Sequence, residues 1–328
     1  MAMNKDIWKS LVGILIGAVF MYLTLKDTPL DDIVTNLKAS KPMWILVSGI
    51  ILGFVFLFRA LRWNVMLDNI GYKIKDSHIL YYTLFGYLIN SFTPKFGEVL
   101  RCTALAKDAD IPVSASLGSV IMERVYDIVV LLIGLSIVGL MEAERLGHLF
   151  NEAYRFVQEQ FLGSTTKLII AGAVVVIGLI VMVFVLKKIQ LFDKVRSFVT
   201  ELMQSVLSSI KMKRFPIFLM HTIIIWVLLV LLNYVFLLAI PQTEDLNIYF
   251  AVIILFVGAI GWALPSPNGI GTTHFIILQL FLVFGLSEAG AITFGLLSNG
   301  LILIYTIFYG LIAVGIRAMG KQWNLIKG

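Results

Sequence analysis

Charge, cysteine and histidine are all scarce in this chain of 328 residues. Charged side chains make up 14% of it, against about 25% in an average soluble domain, while hydrophobic residues reach 59%. With a mean hydropathy of +0.93, that balance excludes a soluble globular domain and specifies a polytopic membrane protein. The single cysteine, Cys102, excludes an intrachain disulfide and a cysteine-built zinc site. The four histidines, His78, His148, His221 and His274, fall in four different segments without His-x-x-x-His or His-Glu pairing, so no metal site is expected. A Walker loop is missing, as is a Gly-x-Gly-x-x-Gly after a strand; no cofactor is expected. The net charge of +6 comes from basic residues lying between apolar segments, an orientation signal and not a groove for nucleic acid.

What is present is a series of long apolar runs. Six have spanning length: Trp8 to Leu25, Met43 to Leu61, Ser114 to Met141, Leu168 to Leu186, Phe215 to Ile240 and Glu288 to Ile316. The first ends in Thr24-Leu25-Lys26-Asp27 with no small-residue cleavage site, so it reads as a retained helix and not a signal peptide. Two further apolar regions are interrupted, His78 to Leu105 at Thr93-Pro94 and Gly97, and Ile248 to Leu286 at Pro265-Ser266-Pro267-Asn268-Gly269-Ile270-Gly271. Residues 189–213 show helical apolar spacing with lysines on other faces and predict an amphipathic helix, lying on the inner leaflet or packed on protein.

Charge bias orients the crossings. Lys187 to Arg214 carries seven basic residues against Asp193 and Glu201, and the tail from Arg317 is basic, so both are expected in the cytoplasm. Glu142 to Thr166 and the Glu244-Asp245 loop are acidic and are expected outside. Each interrupted region must then enter and leave by one face, as a re-entrant hairpin. The expected architecture is a single all-α membrane domain over 1–328, with about six full spans, two re-entrant hairpins and both termini cytoplasmic. Its halves, 8–141 and 168–316, follow the same order of elements and predict an inverted repeat of the kind that places a transport site at the bilayer midplane.

The interruptions gather polar groups. Glu123, Arg124 and Asp127 share one side of a long helix by i, i+3 and i, i+4 spacing. A charge at bilayer depth costs about 2.5–3.5 kcal/mol even on a lenient scale, so a cluster of them calls for a reason. Two readings are open: an anion contact whose arginine is steadied by acids, or a buried network that locks the hairpin and touches no substrate. In the first hairpin Asn90, Pro94, Gly97, Glu98 and Arg101 place a helix start and a guanidinium together, suited to phosphate. In the second, Pro267, Gly269, Gly271 and His274 mark another helix start. Arg59, Arg62 and Trp63 close the second span and are expected at the head-group interface.

The ordered set Arg59-Ala-Leu-Arg62-Trp63, Asn90 with Pro94 and Gly97-Glu98-x-x-Arg101, Glu123-Arg124-x-x-Asp127, and Pro265-x-Pro267-x-Gly269-Ile270-Gly271 resembles the membrane region of lysylphosphatidylglycerol synthases and its stand-alone, flippase-like relatives. The resemblance runs from Leu30 to Arg317. It implies an inner-membrane protein of the type credited with moving aminoacylated phospholipid or a related lipid between leaflets. Two features depart from that family: Asn268-Gly269-Ile270-Gly271-Thr272-Thr273-His274 stands where a Gly-Gly-x-Gly-x-x-Glu is usual, and a stand-alone member lacking the soluble aminoacyl-transferase domain is expected. The expectation is therefore a lipid transporter and not an enzyme. The alternative is a membrane-embedded enzyme or enzyme subunit acting on a polyprenyl-linked or glycolipid substrate. Expected partners are membrane lipids, with either a second copy of the chain or a separately encoded lipid-modifying enzyme.

Overall fold

The computed structural model describes residues 3–26, 28–93, 96–145, 213–263, 266 and 269–319. The described residues form helices joined by short connections: α1 (Met3–Leu25), α2 (Leu30–Lys38), α3 (Pro42–Asn69), α4 (Asp76–Asn90), α5 (Phe96–Ala109) and α6 (Val113–Met141), then α7 (Phe215–Ala239), α8 (Ile248–Ala263), α9 (Thr272–Val283) and α10 (Glu288–Met319). Apolar runs without water to satisfy the backbone must bond internally, and the helix does so within one segment. Pro42 and Pro216 sit in the first turns of α3 and α7, where a missing N–H costs nothing.

Among the described residues four helices, α3, α6, α7 and α10, are long and apolar enough to cross a membrane. The protein is thus an all-α polytopic membrane protein, as its composition requires. Helix α3 runs eight residues past the expected end at Leu61, which carries Arg62 and Trp63 inside a continuous helix. The span expected over Leu168 to Leu186 and the amphipathic helix over 189–213 lie outside the described residues, as do Pro94 and Pro267.

The chain divides into two units, Met1–Asp127 with Met212–Gly328, and Ile128–Lys211. Of the second unit, residues 128–145 are described; there the Glu142 N–H donates to the Val138 carbonyl at 2.9 Å and Arg145 pairs with Glu142.

Within the first unit, both interrupted regions are antiparallel helical hairpins. Tyr82 midway along α4 donates to Asp108 near the end of α5, while Gly86 and Gly97 meet close to the turn. In the second, Phe250 early in α8 lies 5.2 Å from Phe281 late in α9, and Gly261 meets Thr273 at the turn. These four helices have 15, 14, 16 and 12 residues. At about 1.5 Å per residue none reaches the roughly 30 Å of a hydrocarbon core.

Helix α10 packs against both hairpins, at opposite ends. Its C-terminal half meets α4 and α5, with Gly310 against Leu88 and Arg317 bonded to Tyr82 and Asp108. Its N-terminal half meets α9, with Gly295 against His274 and Phe294 against Phe281 at 5.9 Å. The open end of one hairpin therefore lies at one end of α10, and the open end of the other lies at the opposite end.

Candidate functional site

The charges foreseen on the first hairpin and on α6 converge, and α3 joins them. Arg62 is 1% exposed and holds Asp127 in a two-pronged contact, Nη1 to Oδ1 at 2.7 Å and Nη2 to Oδ2 at 3.1 Å. Its Nε reaches Glu123 Oε1 at 3.4 Å and its Nη1 reaches Thr222 Oγ1 on α7 at 3.5 Å. Glu123 gives its other oxygen to Arg101 Nη2 at 3.2 Å, so one buried carboxylate bridges two arginines. Arg101 also lies 4.4 Å over the Trp63 ring, a cation–π contact that a planar guanidinium suits.

Around this buried centre is an open side. Arg124 bonds Asp127 Oδ2 at 3.3 Å and Glu98 Oε1 at 3.0 Å, and the side chains of Arg124 and Glu98 are 35% and 31% exposed. Arg59 donates to the Tyr87 hydroxyl at 3.0 Å and feels Asp127 through space, with no carboxylate within ion-pair distance among the described residues. Four arginines thus face three carboxylates, and the group carries one positive charge beyond neutrality. Buried pairs of this kind stabilise the fold weakly, but removing one partner strands a charge at a cost of about 3–5 kcal/mol.

Arg62 and Trp63 correct the sequence reading. Neither side chain reaches outward as a snorkelling residue would: Trp63 is fully buried and donates Nε1 to Ser119 Oγ at 2.8 Å, and Arg62 is the hub of the network. The cause is the extra length of α3, which turns two residues expected at a helix end into interior ones. Arg59 remains partly exposed.

Local structure explains how the first hairpin delivers its charges. Asn90 Oδ1 accepts the Gly97 N–H at 2.7 Å, closing the turn and meeting one of the free amides at the start of α5. A Cβ on Gly97 would collide with the Gly86 carbonyl, so glycine allows the two backbones to touch. Gly86 in turn leaves room for the Arg101 side chain, which would lie 2.9 Å from a Cβ placed there.

The second hairpin does not join this cluster in any contact described. Gly271, with φ +81°, packs directly on Gly17 of α1, where a side chain would collide with backbone. His274 is buried; its Nδ1 accepts the Gly271 N–H at 3.3 Å and lies 3.5 Å from Asn299 Nδ2. Thr272 donates to the Gly261 carbonyl at 2.8 Å and shares a hydrogen bond with Ser266 at 2.6 Å. Gly269, with φ +70°, packs beside Thr273 and Trp262. These residues form a neutral joint.

Sequence reasoning missed Tyr87, Thr222, Gly86 and Gly17. Thr222 left a trace, since His221-Thr222 interrupts the long apolar run of α7. Tyr87 stands one turn before Asn90 but aromatic residues are common in apolar helices and carry no signal alone.

A helical membrane bundle with two short hairpins and a buried, arginine-rich charge network defines a class of integral membrane protein. The family described as the lysylphosphatidylglycerol synthase TM region matches residues 10–310, and the chain belongs to it. It is similar to the UPF0104 membrane protein MJ1595 of Methanocaldococcus jannaschii, 26% identical over 133 residues, which is 40% of this chain and 40% of that one. It is also similar to the UPF0104 membrane protein MJ1078 of the same organism, 24% identical over 209 residues, 62% of this chain and 82% of the relative.

Proposed function

We propose that this protein moves a phospholipid, or a related anionic or aminoacylated lipid, between leaflets of the cytoplasmic membrane by passing its head group along the open side of the arginine network. The observation that carries the reading is the division of labour among the charges. Arg62, Glu123 and Arg101 are buried and committed to one another, whereas Arg124 and Glu98 are partly exposed and Arg59 donates its hydrogen bond to a phenol. An arriving phosphate replaces Glu98 on Arg124 and gains Arg59, while Asp127 stays held by Arg62. The extra positive charge suits one phosphodiester, and guanidinium groups bind phosphate through paired N–H donors.

Both hairpins re-enter the bilayer from opposite faces in this reading, forming halves related by inversion. Support comes from their lengths and from their attachment at opposite ends of α10. The end bearing Lys73, Lys75, Lys107, Arg214 and Arg317 faces the cytoplasm, with both termini, and the end bearing Glu244, Asp245 and Glu288 faces outward. Membrane lipids are the partners, along with a second copy of the chain or a separately encoded lipid-modifying enzyme. The chain itself transports and does not catalyse.

The test is translocation of head-group-labelled lipid in proteoliposomes, comparing wild type with Arg124→Gln. Transport by wild type that is lost in the folded variant supports the reading. Failure to move anionic, aminoacylated or polyprenyl lipids overturns it in favour of an enzyme subunit.

A further inference from the structure

Among the described residues the charge network leaves one proton unused, that of the Tyr87 hydroxyl on α4. Its oxygen accepts from Arg59 Nη1 at 3.0 Å, and its ring lies 5.0 Å from Phe56, one turn before Arg59 on α3. A phenol carries an O–H donor beside its acceptor lone pairs, and the Tyr87 O–H finds no acceptor among the described residues. Tyr87 and Arg59 are both partly exposed.

The surroundings of that hydroxyl favour an anion. Arg59, Arg124 and Arg101 act on it through space, against one carboxylate, Glu123, which Arg62 and Arg101 already hold. A carboxylate in place of the phenol would cancel the charge of Arg59 and repel a phosphate, whereas a neutral phenol holds the guanidinium and leaves its charge available. Hydrogen bonds in series also strengthen one another. By donating to the phenol oxygen, Arg59 polarises the O–H and makes it a better donor.

The flank of the opening is apolar. Ile121, one turn before Arg124, is 62% exposed, and Val99, next to Glu98, is 46% exposed. An acyl chain gains contact on such a surface and a free anion does not.

We propose that Tyr87 is a head-group ligand that works through Arg59. With the site empty its oxygen holds the Arg59 guanidinium; with a lipid phosphate present it keeps that bond and donates its own proton to a phosphate oxygen. Arg59, Tyr87 and Arg124 then bring donors from α3, α4 and α6 onto one phosphate. The proposal rests on the reading of the open side as the head-group site, and it concerns binding whether or not transport follows.

The experiment therefore measures binding. The full chain in maltoside micelles is titrated with a phosphatidylglycerol labelled on one acyl chain, and with a diacylglycerol carrying the same label, read by energy transfer from tryptophan. Wild type is expected to bind the phospholipid about tenfold or more tightly than the diacylglycerol. Tyr87→Phe, which keeps the ring against Phe56, is expected to weaken the phospholipid about tenfold and to leave the diacylglycerol unchanged, with folding checked by thermal midpoint. Arg59→Gln is expected to weaken the phospholipid at least as much, and adding Tyr87→Phe to it to cost no more than about threefold further, because the two side chains act as one chain of bonds. Unchanged phospholipid binding in folded Tyr87→Phe, an equal loss of both lipids, or a full further tenfold loss in the double variant overturns the proposal. Displacement of the phospholipid by an equal concentration of inorganic phosphate overturns the assignment to a lipid. If Tyr87→Phe behaves as expected while wild type moves no lipid in proteoliposomes, the translocation reading falls and the ligand role stands. If wild type moves lipid and Tyr87→Phe binds it as wild type does, the reverse holds.

Discussion

In the hairpin of α4 and α5, Gly97 presses on the partner helix, Asn90 takes its free N–H, and the next turn projects Glu98 and Arg101 into a network of ions. In the hairpin of α8 and α9, Gly271 presses on α1, His274 takes its free N–H, and the turns beyond carry threonine and apolar residues. The two turns solve the same problem, a helix start inside the bundle, with a glycine at the contact and a side chain on the orphan amide. They differ in what they carry. A break in a membrane helix is therefore a structural device first. The charges beside it, and not the break, decide whether it forms a polar site.

That contrast can be broken by substitution, and the largest effect belongs to the charged hairpin. Glu123→Ala strands the buried Arg101, leaves Arg62 with Asp127 alone, and is expected to lower stability by about 3–5 kcal/mol, measured by unfolding in mixed detergent. A loss under 1 kcal/mol (about the worth of an exposed pair) would mean the network is wet and not buried. Gly97→Ala and Gly271→Ala should each cost about 3 kcal/mol, because a Cβ meets backbone at both. Equal effects sharpen the comparison by showing that the two joints match mechanically while their chemistry differs. His274→Ala removes an acceptor from one buried N–H and is expected to cost about 1–3 kcal/mol, readable as a shift in thermal midpoint. Smallest is Lys41→Met, which breaks a half-exposed pair with Glu244 far from either turn and should change stability by about 1 kcal/mol or less.

Much of this was legible from spacing. Glu123, Arg124 and Asp127 had to share a helix side, and the proline and glycine breaks at 93–97 and 265–271 located both turns. Arg62 was misplaced because hydropathy ends a span where charge begins, whereas the helix continues to Asn69. Residues 61–69 hold neither glycine nor proline, so the helix runs on to the turn at Gly71, and hydropathy marks the end of the apolar run and not the end of the helix. The meeting of Gly17 with Gly271 was illegible for another reason, since a contact between elements distant in sequence leaves no periodic trace. The inverted arrangement of the halves was read from the order of segments, and one span of the second half lies outside the described residues.

The central claim is that the charged hairpin, and not the neutral one, handles the lipid head group. The most direct measurement compares translocation of a labelled anionic phospholipid by folded Arg124→Gln and folded His274→Gln in the same proteoliposome preparation. The account predicts a fall of about tenfold or more for Arg124→Gln, the worth of one charge-assisted bond, and little change for His274→Gln. Loss of transport in His274→Gln with Arg124→Gln unaffected would contradict it.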